Sequence, residues 1–191
     1  YDAIKQVPEF SRFTVSEQHL ALARALRNSD FMGITRAGDG IRIDLPNEAK
    51  FMAPWHQDYI TQLGSLDGLV FWVPLMPATQ ENGAVEVAVG SHREGPLPIY
   101  YEDAQQVGSA YGMRIVASKL DQALKTYPPV RAVCEVGDLL VLDYQLLHRS
   151  GINHSPHARW SMQFRYFNFN HPLAIEKGWP CGISKGSVLA Q

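Results

Sequence analysis

The chain has little cysteine. Cys134 and Cys181 are its two thiols, far apart and in no CxxC pair, which excludes a disulfide framework and a cysteine-based zinc site. Both are expected to be buried free thiols, which suits a reducing, cytoplasmic setting; a disulfide between them is the less favoured alternative. Long apolar runs are absent too. None approaches the roughly 18 residues needed to cross a bilayer, so no membrane role is expected. Charge of one sign is not in excess: 17 Lys and Arg face 19 Asp and Glu, a formal net charge of -2. Without a basic stripe, nucleic acid is not an expected partner. There is no internal repeat or low-complexity tract. The chain opens at Tyr1 with neither a Met nor a signal peptide, which reads as a longer protein lacking its N-terminal residues. Asn153-His154-Ser155 matches a glycosylation sequon, but nothing else suggests secretion. What remains is 191 residues with 46% hydrophobic and 19% charged content, enough for one domain over 1–191 with one core.

Periodicity gives a coarse plan. Residues 16–27 read as an amphipathic helix, with Leu20, Ala23 and Leu26 at helical spacing and Glu17 in the first turn. Ile41, Ile43 and Leu45 alternate with Arg42 and Asp44, as in a half-buried strand. Residues 69–76 form a dense apolar run that reads as a buried strand. Glu81-Asn82-Gly83 signals a turn, and 84–89 return as a strand. Residues 94–129 hold Gly, Pro and several Tyr, then a helical pattern over 118–126. They read either as a lid beside the site or as a plain surface insertion. Strands resume at 130–135, 139–142 and 159–168. Many short strands and little helix predict a sandwich or barrel.

Two short stretches carry the chemistry. Trp55-His56-Gln57-Asp58 is followed about ninety residues later by His148-Arg149-Ser150-Gly151, with Asn153, Ser155 and Arg159 beyond. A His-x-Asp with a distant His is the sequence form of the 2-His-1-carboxylate triad, which holds iron(II) by one face. On a strand, His56 and Asp58 would share a face while Gln57 pointed away. Arg159 opens an alternating segment in which Arg159, Ser161, Gln163 and Arg165 share one side, opposite Trp160, Met162, Phe164 and Tyr166. A buried arginine needs an anion, and a keto-acid carboxylate would suit its fork. Pairing of Arg159 with a surface acid is the less favoured alternative. Arg42, Asp44, Gln57, Tyr59, Gln163 and Arg165 are candidates to line or rim a polar cavity. His92, His154, His157 and His171 read as turn and loop residues.

The pattern resembles the phytanoyl-CoA dioxygenase family of iron(II)/2-oxoglutarate oxygenases. His56, Asp58, His148 and an Arg eleven residues later match that family's pattern, as do the stretch from Glu81-Asn82-Gly83 to Gly90-Ser91-His92-Arg93 and His148-Arg149-Ser150-Gly151 with Asn153. The resemblance spans about 53–169. It implies a mostly β fold with flanking helices, a double-stranded β-helix (jelly roll, cupin-like). It implies Fe(2+) on His56, Asp58 and His148, and 2-oxoglutarate and O2 as co-substrates. Arg159 would grip the far carboxylate of 2-oxoglutarate, Ser150 would assist it, and Trp72 would pack beside it. For Ser150 a turn hydroxyl, and for Trp72 plain core packing, are the alternatives.

The implied activity is hydroxylation of an unactivated C–H bond in a small metabolite or natural-product intermediate. Related halogenases carry a small residue where this chain has Asp58, which favours hydroxylation. Two other readings stay open: a non-oxygenase, metal-dependent cupin-like enzyme, which leaves Arg159 idle, and a catalytically silent binding module.

Overall fold

The structure is a computed structural model that describes residues 2–50, 52–60, 65–102 and 112–179. Mostly antiparallel sheet with few helices makes up the fold. The chain begins with a 3-10 turn, then α1 (Pro8–Thr14) and α2 (Glu17–Arg27). Ser16 caps α2 by accepting from the His19 N–H at 3.4 Å, and Asn28 ends it in the left-handed conformation, φ 46°. The strands follow: β1 (Met32–Asp44), β2 (Gly68–Pro74), β3 (Glu86–Val87), β4 (Ile99–Tyr101) and β5 (Met113–Ile115). After α3 (Ala117–Thr126) come β6 (Val130–Arg131), β7 (Leu140–Asp143), β8 (His148–Arg149), β9 (Arg159–Asn168) and α4 (Pro172–Glu176).

One sheet runs β1-β9-β2-β7, a second β6-β3-β8, and β4-β5 form a separate hairpin. The larger sheet has two different faces, because side chains alternate along each strand. Leu69, Phe71, Met162, Phe164 and Tyr166 turn to one side and pack with Phe10 of α1 and Ala23 of α2. Val70, Trp72 and Leu142 turn to the other, where they meet Val85 and Val87 from the second sheet's side. The helices therefore seal one face, and the opposite face is left for a cavity. Each fully buried Phe stabilises the sheet–helix layer by about 1.5–3 kcal/mol.

The strand at 159–168 and the helix at 16–27 fall where the sequence places them. Other expectations need correction. More helix is present than the two segments expected at 16–27 and 118–126: α1 and α4 were not foreseen. β1 starts nine residues before Ile41, and its alternation is masked by glycines and by an irregularity between Thr35 and Gly40. The strand expected over 84–89 shrinks to β3, since a turn closes at Gly90. The 94–129 segment contributes β4, β5 and α3. Leu97, Ile115 and Ala123 from it form a small core with Ala88 and Leu147, while residues 103–111 lie outside the described residues. Cys134 is a buried free thiol; Cys181 lies outside the described residues. No described helix is long and apolar enough to cross a membrane.

Candidate metal centre and co-substrate pocket

His56 and His148 meet as a single antiparallel bridge pair, with N–H···O distances of 3.0 and 3.2 Å. That pairing sets their rings side by side, centroids 4.2 Å apart. Asp58 opens a 3-10 turn immediately afterwards, so His56 and Asp58 do not share a strand face as expected. The reason lies in Gln57. It is fully buried; its amide donates to the carbonyls of Gly95 (2.9 Å) and Gln145 (2.7 Å), and its oxygen accepts from the Leu97 N–H (2.8 Å). These bonds pull the chain out of strand geometry and swing Asp58 back beside the histidines.

The polar atoms then converge. One ligand atom from each of His56, Asp58 and His148 lies within 4.8 Å of the others, the one such cluster of three among the described residues. Nδ1 of His56 lies 2.8 Å from the Pro54 carbonyl, and Nδ1 of His148 lies 3.0 Å from the Leu146 carbonyl. A carbonyl only accepts, so each Nδ1 carries the proton and each neutral ring turns its Nε2 lone pair inward. His56 Nε2 is 3.2 Å and His148 Nε2 3.9 Å from Asp58 Oδ1. Three lone-pair donors facing one another repel unless a cation or a proton lies among them. Burial, and then the neighbouring His56, push the His148 pKa down to about 4, so a metal ion meets little proton competition there at neutral pH.

Arg165 holds the carboxylate from behind. Its Nε donates to Asp58 Oδ2 at 2.8 Å, which leaves Oδ1 turned to the histidines. Burial alone would raise the Asp58 pKa; the Arg165 charge outweighs it, and the carboxyl is held far below the usual range.

A cavity of about 160 Å³ adjoins the cluster. Arg159, Ser150, Trp72, Arg42, Gln163 and Arg165 line it together with the triad. Arg159 is 1% exposed, and its guanidinium lies 5.5 Å from the Trp72 ring centroid. Nη2 donates to Asp44 at 2.6 Å, a largely buried acid rather than the surface acid that was the alternative. Nε and Nη1 of Arg159, however, are buried with no partner. Asp44 is itself placed by Asn153, which donates from Nδ2 to the Asp44 carbonyl (3.0 Å) and to that of His157 (2.7 Å). Buried as it is, Asn153 is no accessible glycosylation site. The Ser150 hydroxyl accepts from the Ala53 N–H at 3.4 Å while lining the cavity.

Some expected cavity residues are elsewhere. Gln57 braces backbone, Tyr59 packs in the core and Asp44 stands behind Arg159. His92, His154, His157 and His171 are not among the converging ligands. The Arg165–Asp58 pair and the Asn153–Asp44–Arg159 chain were missed, because each joins residues about a hundred positions apart.

The phytanoyl-CoA dioxygenase family model matches residues 12–161. The chain belongs to the phytanoyl-CoA dioxygenase family. Two 1-deoxypentalenic acid 11-beta-hydroxylases, from Streptomyces arenae and Streptomyces exfoliatus, are 31% and 32% identical to it over 105 residues. That stretch is 54% of this chain and 35% of each hydroxylase, so the chain matches only about a third of their length. Among solved structures, EvdO2 from Micromonospora carbonacea var. aurantiaca complexed with 2-oxoglutarate superposes with TM-score 0.66 at 22% identity. The match covers 86% of this chain and 64% of that one. The epimerase SnoN in complex with Fe3+, alpha ketoglutarate and nogalamycin RO gives 0.70 at 18% identity, covering 87% and 61%. At these identities the structures establish a shared fold. The fold of this phytanoyl-CoA dioxygenase family member thus recurs in proteins crystallised with a keto acid.

Proposed function

We propose that the chain is an iron(II)- and 2-oxoglutarate-dependent dioxygenase that hydroxylates an unactivated C–H bond of a small metabolite or natural-product intermediate. The observation that carries this reading is Arg159: a buried guanidinium in the triad's own cavity with Nε and Nη1 unpaired. Buried donors left without acceptors are costly, and a carboxylate entering the cavity would give this cation the acceptor it lacks. A metal-dependent isomerase or hydrolase would use the triad and leave those donors unanswered. The hydroxylases that the chain resembles support the choice of reaction, as does the Asp58 carboxylate in a place where halogenases carry a small residue.

In this reading His56, Asp58 and His148 hold Fe(2+), whose redox chemistry with O2 and 2-oxoglutarate supplies the oxidising power. The chain supplies geometry. The Pro54 and Leu146 carbonyls fix the histidine tautomers, and Arg165 fixes the carboxylate. Arg159 binds the distal carboxylate of 2-oxoglutarate, with Ser150 assisting and Trp72 packed alongside, so the co-substrate is oriented before reaction. Val70, Val85 and Leu142 keep that pocket dry. The two-sheet arrangement around the cavity supports a double-stranded β-helix, and the free Cys134 thiol supports a cytoplasmic setting.

The test is calorimetric titration of the nickel-loaded protein with 2-oxoglutarate. Arg159→Ala is expected to weaken 2-oxoglutarate at least tenfold and leave nickel affinity within threefold. Unchanged 2-oxoglutarate affinity in that variant would remove the assignment of Arg159.

A further inference from the structure

Gln163 lines the metal cavity but makes no hydrogen bond to the triad or to Arg159. It lies half-buried on β9, between Arg159 and Arg165 on the strand face that looks into the cavity. Across the sheet it pairs in register with Trp72, the ring that lies against the Arg159 guanidinium.

Arg165 decides how the Gln163 amide is turned. Each of the three guanidinium nitrogens donates: Nε to Asp58 Oδ2 (2.8 Å), Nη1 to the Gly38 carbonyl (2.5 Å) and Nη2 to Gln163 Oε1 (3.3 Å). A guanidinium cannot accept, so the Gln163 oxygen faces it and the Nε2 amide faces away. That amide has no acceptor among the described residues. Arg165 is therefore engaged with the protein, and the donor left for the cavity beside it is Gln163 Nε2.

Position says what this donor serves. Arg159 and Gln163 are four residues apart on one strand face, roughly 13 Å along the backbone. Donors so separated suit the two ends of one guest better than a single carboxylate. Gln163 is tied through Arg165 to the metal end, and Arg159 stands at the other.

We propose that Gln163 is a further recognition residue for the co-substrate. Its Nε2 amide donates to the 2-oxo acid head, the carboxylate and keto oxygens, while Arg159 holds the tail. The head only accepts, and a neutral amide satisfies it without setting another positive charge beside Arg159 and Arg165. Head recognition serves any 2-oxo acid; tail recognition selects 2-oxoglutarate. This assignment rests on the oxygenase reading and deepens it.

The experiment is calorimetric titration of the nickel-loaded protein with 2-oxoglutarate and with 2-oxopentanoate, which has the same head and no distal carboxylate. Gln163→Met removes the amide. Gln163→Glu also removes the donor but keeps an oxygen for Arg165. Gln163→Met is expected to weaken both acids by the same factor, about 3–10-fold, the scale of one neutral hydrogen bond. Gln163→Glu should weaken them at least as much, with nickel affinity near wild type. Arg159→Ala should weaken 2-oxoglutarate alone. Unchanged affinity for both acids in Gln163→Met overturns the proposal. So does wild-type affinity in Gln163→Glu, or a loss that follows nickel affinity in both variants, since Gln163 would then act only through Arg165. A loss confined to 2-oxoglutarate in Gln163→Met also overturns it, because the amide would then serve the tail. Wild type that binds neither acid would sink this proposal together with the oxygenase reading; wild type that binds both, with Gln163 indifferent, sinks this proposal alone.

Discussion

Arg165 shows what a single residue contributes beyond the three proposed ligands. By alternation on β9 it belongs with Arg159, Ser161 and Gln163, and so it was read as lining a polar cavity. Its partner Asp58 is 107 positions away, and no local pattern reveals that pairing. Removing Arg165 leaves a buried carboxylate short of its main counter-charge. Arg165→Met is expected to weaken iron(II) binding by about 10–100-fold, measured by competition with a chelator, because groups behind a ligand tune affinity on that scale. Undiminished affinity would show that His56 and the turn alone hold Asp58. His148 makes a pH prediction for the metal-free protein. An unfolded histidine gains its proton near pH 6.5, and His148 in the fold near pH 4. The unfolded chain therefore binds more protons between those values, and stability falls as pH drops through that window, by up to about 1.4 kcal/mol per unit. Asp58 acts in the other direction of charge: its contribution holds down to the ordinary carboxylate range and is lost only below it. Denaturant midpoints from pH 7 to 4.5 check this; a flat profile would contradict it.

Elements differ in how plainly the sequence shows them. β9 was legible end to end, since one face is apolar, the other polar, and no glycine interrupts it. β1 was half hidden. Gly33 sits where a side chain would strike the Phe167 ring at 2.3 Å, and Gly40 follows the irregularity, so neither could carry the pattern. β8 is only two residues long and holds its position by backbone contact. A Cβ on Gly151 would lie 2.5 Å from the Ala84 carbonyl oxygen, and one on Gly83 2.6 Å from that of Gly151. These glycines let the turn after β2 press against the segment after His148. Gly151→Ala should cost about 1–3 kcal/mol in thermal unfolding and loosen His148 with it. A variant with wild-type stability would mean that this contact yields easily. The HxD pair was legible as chemistry but not as local structure, because Gln57's three bonds to distant backbone decide it.

At the scale of the whole molecule, helices cover one face of the larger sheet and chemistry occupies the other. The apolar residues of β2, β7 and β9 divide between those faces as alternation requires, so the core and the cavity are two sides of one pattern. The convergence of His56, Asp58 and His148 was legible from their spacing; the cavity beside them depends on Asp44 and Asn153, which meet although 109 positions separate them. Under the proposed function, both halves of the site have to be present for a keto acid to chelate the metal. That joint requirement is measured most directly by anaerobic titration of the metal-free protein with iron(II) and then 2-oxoglutarate, watching the visible metal-to-ligand charge-transfer band. A weak band that saturates at one 2-oxoglutarate per chain, and fails in Asp58→Ala and Arg159→Ala, is the predicted result. Iron(II) binding without any band on adding 2-oxoglutarate would contradict the oxygenase reading.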